Sequence, residues 1–154
     1  MIKKLLLATI TTTILFSQSA LAQNFYGVYN YSDKDFKDKK ADQKIEFGLL
    51  EDAPTLTFYG VESAGEGCCA YFKVYADNLK TDDKGNISFT IGTRNLYLNK
   101  KKLDNKKNDG SSNATLKFKG KFTKNSLNLE CKSDSGFDCY IEGKKMDFKK
   151  IKSY

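Results

Sequence analysis

The sequence predicts an all-β fold, a single antiparallel meander closing into a small barrel, with a β-sandwich as the alternative. Three observations carry that expectation. Short runs of alternating apolar and polar residues recur along the chain. Clusters of Gly, Asn, Asp and Ser separate them and supply the positive φ that hairpin turns need. No helical-period segment long enough for a crossover intervenes, which argues against parallel strands. With nine or ten strands expected, closure removes the unpaired edges an open sheet would present.

The chain opens on a different pattern. Lys3 and Lys4 are followed by the apolar run Leu5 to Phe16, and Ala20-Leu21-Ala22 is an A-x-A cleavage signal before Gln23. That run falls short of the roughly 18 to 20 apolar residues a spanning helix needs, and no later run reaches it. Residues 1–22 are therefore expected to be a cleaved signal peptide of bacterial type, and residues 23–154 one barrel-like domain. No cysteine follows the cleavage signal, so lipid attachment is not indicated. The expected product is soluble, without a membrane span, and periplasmic or secreted.

The strands follow in order. Phe25, Gly27, Tyr29 and Tyr31 share one phase of the first. Asp33 to Gln43 is a charged connection, a long loop or a single helical turn, with Phe36 as its lone apolar anchor. Ile45, Phe47 and Leu49 alternate with Lys44, Glu46 and Gly48. Beyond Pro54, Leu56 and Phe58 alternate with Thr57 and Tyr59, and Gly60 to Gly67 reads as a flexible acidic loop. Ala70, Phe72, Val74 and Ala76 oppose Tyr71, Lys73 and Tyr75. Ile87, Phe89 and Ile91 alternate with Ser88 and Thr90, and Leu96 and Leu98 follow. Leu116, Phe118, Gly120 and Phe122 interleave with Lys117, Lys119 and Lys121, giving one apolar and one cationic face. Leu127, Leu129 and Cys131 share an inward phase, and Met146 and Phe148 begin the last strand. Asp82 to Asn86, Asn108 to Ser112 and Ser133 to Gly136 provide turn chemistry.

Removing the leader takes two lysines and no acid, so 26 basic against 19 acidic residues becomes 24 against 19. The mild positive excess favours anionic partners such as phosphorylated or acidic glycans and lipids, or an acidic protein. Nucleic acid is not an expected partner, because Arg94 is the one arginine and export separates the chain from the cytoplasm.

Cys68-Cys69 and Cys131…Cys139 all lie in the mature part, as an oxidising compartment allows. Neither pair has the C-x₂₋₄-C spacing of a zinc site and the chain has no histidine, so disulfides are expected and no metal. A Cys131–Cys139 bond would clamp a hairpin and contribute about 2–3 kcal/mol. Cys68 and Cys69 would then pair in a strained ring, stay reduced or cross-link a dimer. Alternatively both bridge to the 131–139 region.

Without histidine there is no Ser-His-Asp or Cys-His arrangement, and no P-loop, G-x-S-x-G or H-E-x-x-H motif is present. Glu46, Glu62, Glu66, Glu130 and Glu142 could serve as a glycosidase pair only in the sense that any such chain has carboxylates. No catalytic residue, metal ligand or cofactor is therefore assigned, and a monomer is the default. Three surfaces are candidates for recognition. Tyr59, Tyr71 and Tyr75 share the outward phase and could form an aromatic surface. Glu62 and Glu66 would make an acidic contact loop, and Lys100, Lys101 and Lys102 a basic patch for phosphate or sulfate groups.

The export signal, the opening Phe25-Tyr26-Gly27-Val28-Tyr29 strand and the late disulfide-capable hairpin resemble, in general plan, small exported barrel proteins. That group includes lipocalin-like carriers, periplasmic lysozyme inhibitors and envelope immunity proteins. The resemblance implies an architecture and no site residue. The function expected is a non-enzymatic binding protein of the cell envelope that blocks or scaffolds a macromolecular partner. A carrier of a small apolar ligand is the alternative, and requires Phe47, Phe58, Phe72, Phe89 and Phe118 to surround a void. A glycan hydrolase with paired carboxylates is a further alternative.

Overall fold

The computed structural model describes residues 24–31, 42–62, 69–134 and 145–154. The leader (residues 1–22), most of the Asp33–Gln43 connection, Glu66, Cys68 and Cys139 lie outside the described residues. Among the described residues eleven strands form: β1 Gly27–Tyr31, β2 Gln43–Leu50, β3 Ala53–Glu62, β4 Ala70–Tyr75, β5 Asp77–Thr81, β6 Asn86–Ile91, β7 Arg94–Leu96, β8 Gly110–Ser112, β9 Leu116–Phe122, β10 Ser126–Ser133 and β11 Lys145–Ser153. The fold is all-β and antiparallel throughout, as the alternating runs require.

Nine strands form one sheet in the order β4-β3-β2-β1-β11-β10-β9-β6-β5. Its two end strands are consecutive in the chain, separated by Ala76 alone. β4 pairs with β3 and β5 with β6, so one bent strand serves both ends of the sheet and draws it into a nearly closed barrel. Ala76 N still donates to Leu56 O at 2.8 Å, carrying the β3 ladder to the bend. A register slip between Asp77 and Lys80, with Asn78 at φ 51°, makes the corner. Asparagine tolerates that left-handed geometry better than other side chains.

The β7–β8 hairpin stands above β6 and β9 as a lip at one rim. It is tied to β4 by reciprocal bonds, Tyr71 N to Tyr97 O at 2.8 Å and Tyr97 N to Tyr71 O at 2.9 Å. The strand ends at Tyr31, Gln43, Glu62, Ala70, Ser133 and Lys145 share this rim, by the ladder registers. The opposite rim holds the start of β1 and the end of β11, paired as Gly27 with Ser153.

The interior is filled by rings. Phe58 has ring centroids of Phe118, Phe72, Phe148 and Phe89 at 5.2, 5.9, 6.1 and 6.4 Å. Phe89 stacks on Phe118 at 4.7 Å, and Phe47 on Phe122 at 5.1 Å. Ile45, Leu56, Leu127, Leu129 and Met146 pack with them and are fully buried. Gly60 makes room for this packing: a Cβ there would lie 2.1 Å from Phe72 Cζ.

Candidate functional site

Two regions combine polar chemistry with defined geometry: the outer face of β9, β10 and β11, and the two rims. On the outer face the pleat turns Lys117, Lys119 and Lys121 of β9, Lys132 of β10, and Lys145 and Lys149 of β11 to solvent. Only the β9 lysines are conspicuous in the sequence; the others join them through register. Lys117 stands opposite Lys132, Lys119 opposite Glu130, and Glu130 opposite Lys145. Two carboxylates share the face, and each has a lysine of its own strand: Lys132 Nζ lies 3.9 Å from Glu130, and Lys149 bonds Asp147. Ser88 and Thr90 of β6, opposite Lys119 and Lys117, extend it with hydroxyls.

At the lip rim, Glu62 continues the inward phase of Leu56, Phe58 and Gly60, and meets Arg94 at the start of β7. Arg94 Nε donates to Glu62 Oε1, and its Nη1 donates to Gly92 O at 3.0 Å and Ala114 O at 2.7 Å. The guanidinium also lies 5.2 Å from the Phe72 ring centroid. This corrects the expectation for Glu62. It is a buried strand residue paired with an arginine, not part of an acidic contact loop, because β3 extends to Glu62.

The three tyrosines separate. Tyr71 is only 6% exposed, since the lip bridges to it through Tyr97, and it is no part of an outer surface. Tyr59 is half-buried beneath Lys44, whose Nζ sits 3.9 Å from the ring centroid, and its hydroxyl donates to Glu46 Oε2 at 3.2 Å. Burial and the Glu46 carboxylate push the Tyr59 phenol up from its ordinary value. Tyr75 is 62% exposed and shares a shallow groove with Leu49, Leu50 and Tyr154. Lys100, Lys101 and Lys102 form an exposed 3-10 turn capped by Asn99 Oδ1, which accepts from Lys101 N at 2.9 Å. They belong to the β7–β8 connection, apart from the β9–β11 face.

Cys69 and Cys131 are both disulfide-bonded; Cys131 is buried in the core cluster. Among the described residues, no three His, Cys, Asp or Glu side chains converge as a metal site. No helix among them is long and apolar enough to cross a membrane.

Sequence reasoning missed Arg94, Tyr97 and the alignment of Lys132, Lys145 and Lys149 with the β9 lysines. The usable signal for Arg94 was local: a lone arginine just after the apolar run Ile87 to Ile91 and Gly92, where solvent is not assured. Comparison with protein-family models, with curated proteins and with solved structures found no match for the chain.

Proposed function

We propose that the chain is an exported, non-enzymatic binding protein that engages an anionic macromolecule of the cell envelope through the outer face of β9, β10 and β11. One observation carries this reading. Lys117 and Lys132 stand directly opposite each other on neighbouring strands, within a face that gathers six exposed lysines against two acids. Like charges in that register cost stability. A surface serving solubility alone gains nothing from the arrangement, whereas a phosphate- or sulfate-bearing polymer laid across the strands would neutralise it. The interior gives the carrier alternative no support, since the rings it needs around a void pack on one another.

The test is retention of the mature chain on immobilised lipopolysaccharide and on a sulfated glycan, over a salt gradient. Retention should fall steeply with salt and be lost in the triple variant Lys117→Glu, Lys119→Glu, Lys121→Glu. Elution of that variant at the same salt as the parent would overturn the reading. Recovery from envelope extract of one stoichiometric protein, released by changing Tyr75 but not the lysines, would move the function to the Tyr75, Leu49 and Leu50 surface. Export is checked separately: the released protein should begin at Gln23 by N-terminal sequencing.

A further inference from the structure

The rim opposite the lip carries a groove of about 770 Å³ that the sheet-face reading does not use. Lys124, Asn125, Lys150, Lys152 and Ser153 line it, and among the described residues no acidic side chain does. Phe25 forms an apolar wall, stacked on Phe122 at 5.0 Å.

Lys150 is placed there by the fold. It takes the inward phase of β11 after the buried Met146 and Phe148. The register with β1 slips immediately afterwards: Tyr29 faces Lys150 and Val28 faces Lys152, leaving Ile151 bulged outward and exposed. Bulges of this kind re-aim side chains, and they recur at binding sites. The ammonium lies 5.6 Å from the Tyr29 ring centroid and donates to Asn24 O at 3.0 Å. Burial holds it below the ordinary lysine value.

Hydrogen bonds hold the facing turn. Thr123 Oγ1 accepts from Ser126 N at 3.0 Å, and Asn125 O accepts from Lys150 N at 2.9 Å. Lys124 and Asn125 are thereby presented to the same groove. A partly desolvated ammonium, a second lysine, an amide and a hydroxyl around one concavity suit an oxyanion that accepts several charge-assisted hydrogen bonds.

We propose that this groove is a binding site for a phosphate-type oxyanion, a phosphomonoester or sulfate ester, with Lys150 and Lys124 as its cationic groups and Asn125 and Ser153 as neutral donors. The inference stands on the groove alone and does not depend on the β9–β11 face.

Side-chain NMR of the lysines in the mature chain tests it, with titration by inorganic phosphate, by phenyl phosphate and by vesicles containing phosphatidic acid, each against sodium chloride of equal ionic strength. The Lys150 resonances should move first and saturate, and their titration midpoint should rise in the presence of the oxyanion. Lys150→Met should weaken phosphate binding at least tenfold while preserving the circular dichroism of the parent. Should that variant fail to fold, Lys124→Met on the exposed turn must weaken binding instead. The triple change on the β9 face should leave the phosphate response intact, which separates failure here from failure there. Saturation by vesicles alone assigns a lipid headgroup, and saturation by the soluble anions assigns a free phosphate or sulfate ester. Equal shifts with chloride, simultaneous movement of all surface lysines, or no loss in either variant would overturn the site.

Discussion

Arg94 and Glu62 form a buried ion pair that closes the lip rim of the barrel, with side chains 0% and 7% exposed. The pair joins β3 to the start of β7, and Nη1 adds the β8–β9 connection through Ala114 O. Among the described residues, the buried Arg94 Nη2 has no hydrogen-bond partner. Removing either side chain deprives the other buried charge of this ion-pair partner. Arg94→Met should therefore cost about 3–5 kcal/mol in urea unfolding, and Glu62→Leu a similar amount. The double variant should recover much of that loss, because two apolar side chains leave no stranded charge. A strictly additive double variant would contradict this account.

Stability should fall at alkaline pH because of Tyr29. Its ring is fully buried, its hydroxyl donates to Phe25 O, and burial raises its pKa well above the ordinary phenol value. A group whose folded pKa is raised keeps its full contribution below the unfolded value, near 10, and loses it as pH rises toward the folded one. Urea midpoints measured from pH 9 to 11 should hold and then decline. Tyr29→Phe should flatten the decline, while costing about 1 kcal/mol at neutral pH for the lost hydrogen bond.

The register of Lys117 against Lys132 makes opposite demands on stability and on binding. Lys117→Glu replaces a like pair by an opposite one and should stabilise by about 0.5 kcal/mol. The same change should shift elution from an anionic matrix to lower salt. Thermal denaturation and the salt gradient read the two effects on one variant; a change in neither would remove the pair from the proposal.

Gly60 and Phe72 are a matched pair across β3 and β4. Gly60→Ala places a methyl group into the Phe72 ring and should destabilise by about 1–3 kcal/mol. In a Phe72→Leu background the cost should shrink, because the nearer of the two rings it meets, Phe72 rather than Phe58, is gone. Equal costs in both backgrounds would place the strain elsewhere.

The barrel was legible because the pleat converts alternation into sidedness. Ile45, Phe47, Phe58, Phe72, Phe89, Phe118, Leu129 and Phe148 each point inward as their phase requires. The same rule misplaced Tyr71, since a strand's outward phase says nothing about whether another segment covers it. Here the lip does, through Tyr97. Glu62 was illegible for a related reason: its partner is 32 residues away, and only the closed sheet brings them together. The cationic face was half legible. Lys117, Lys119 and Lys121 show their phase locally, but whether Lys132 and Lys145 align with them depends on register between strands.

The pairing of Gly27 with Ser153 gives this barrel a late seam. A ribosome delivers β1 first and β11 last, and β10 and β1 both find their partner in β11. The ring is therefore still open until the nine residues of β11 are free. The proposed export, with the chain threaded N-terminus first through a narrow pore, would thus hold it unclosed during passage and let it seal only on the far side.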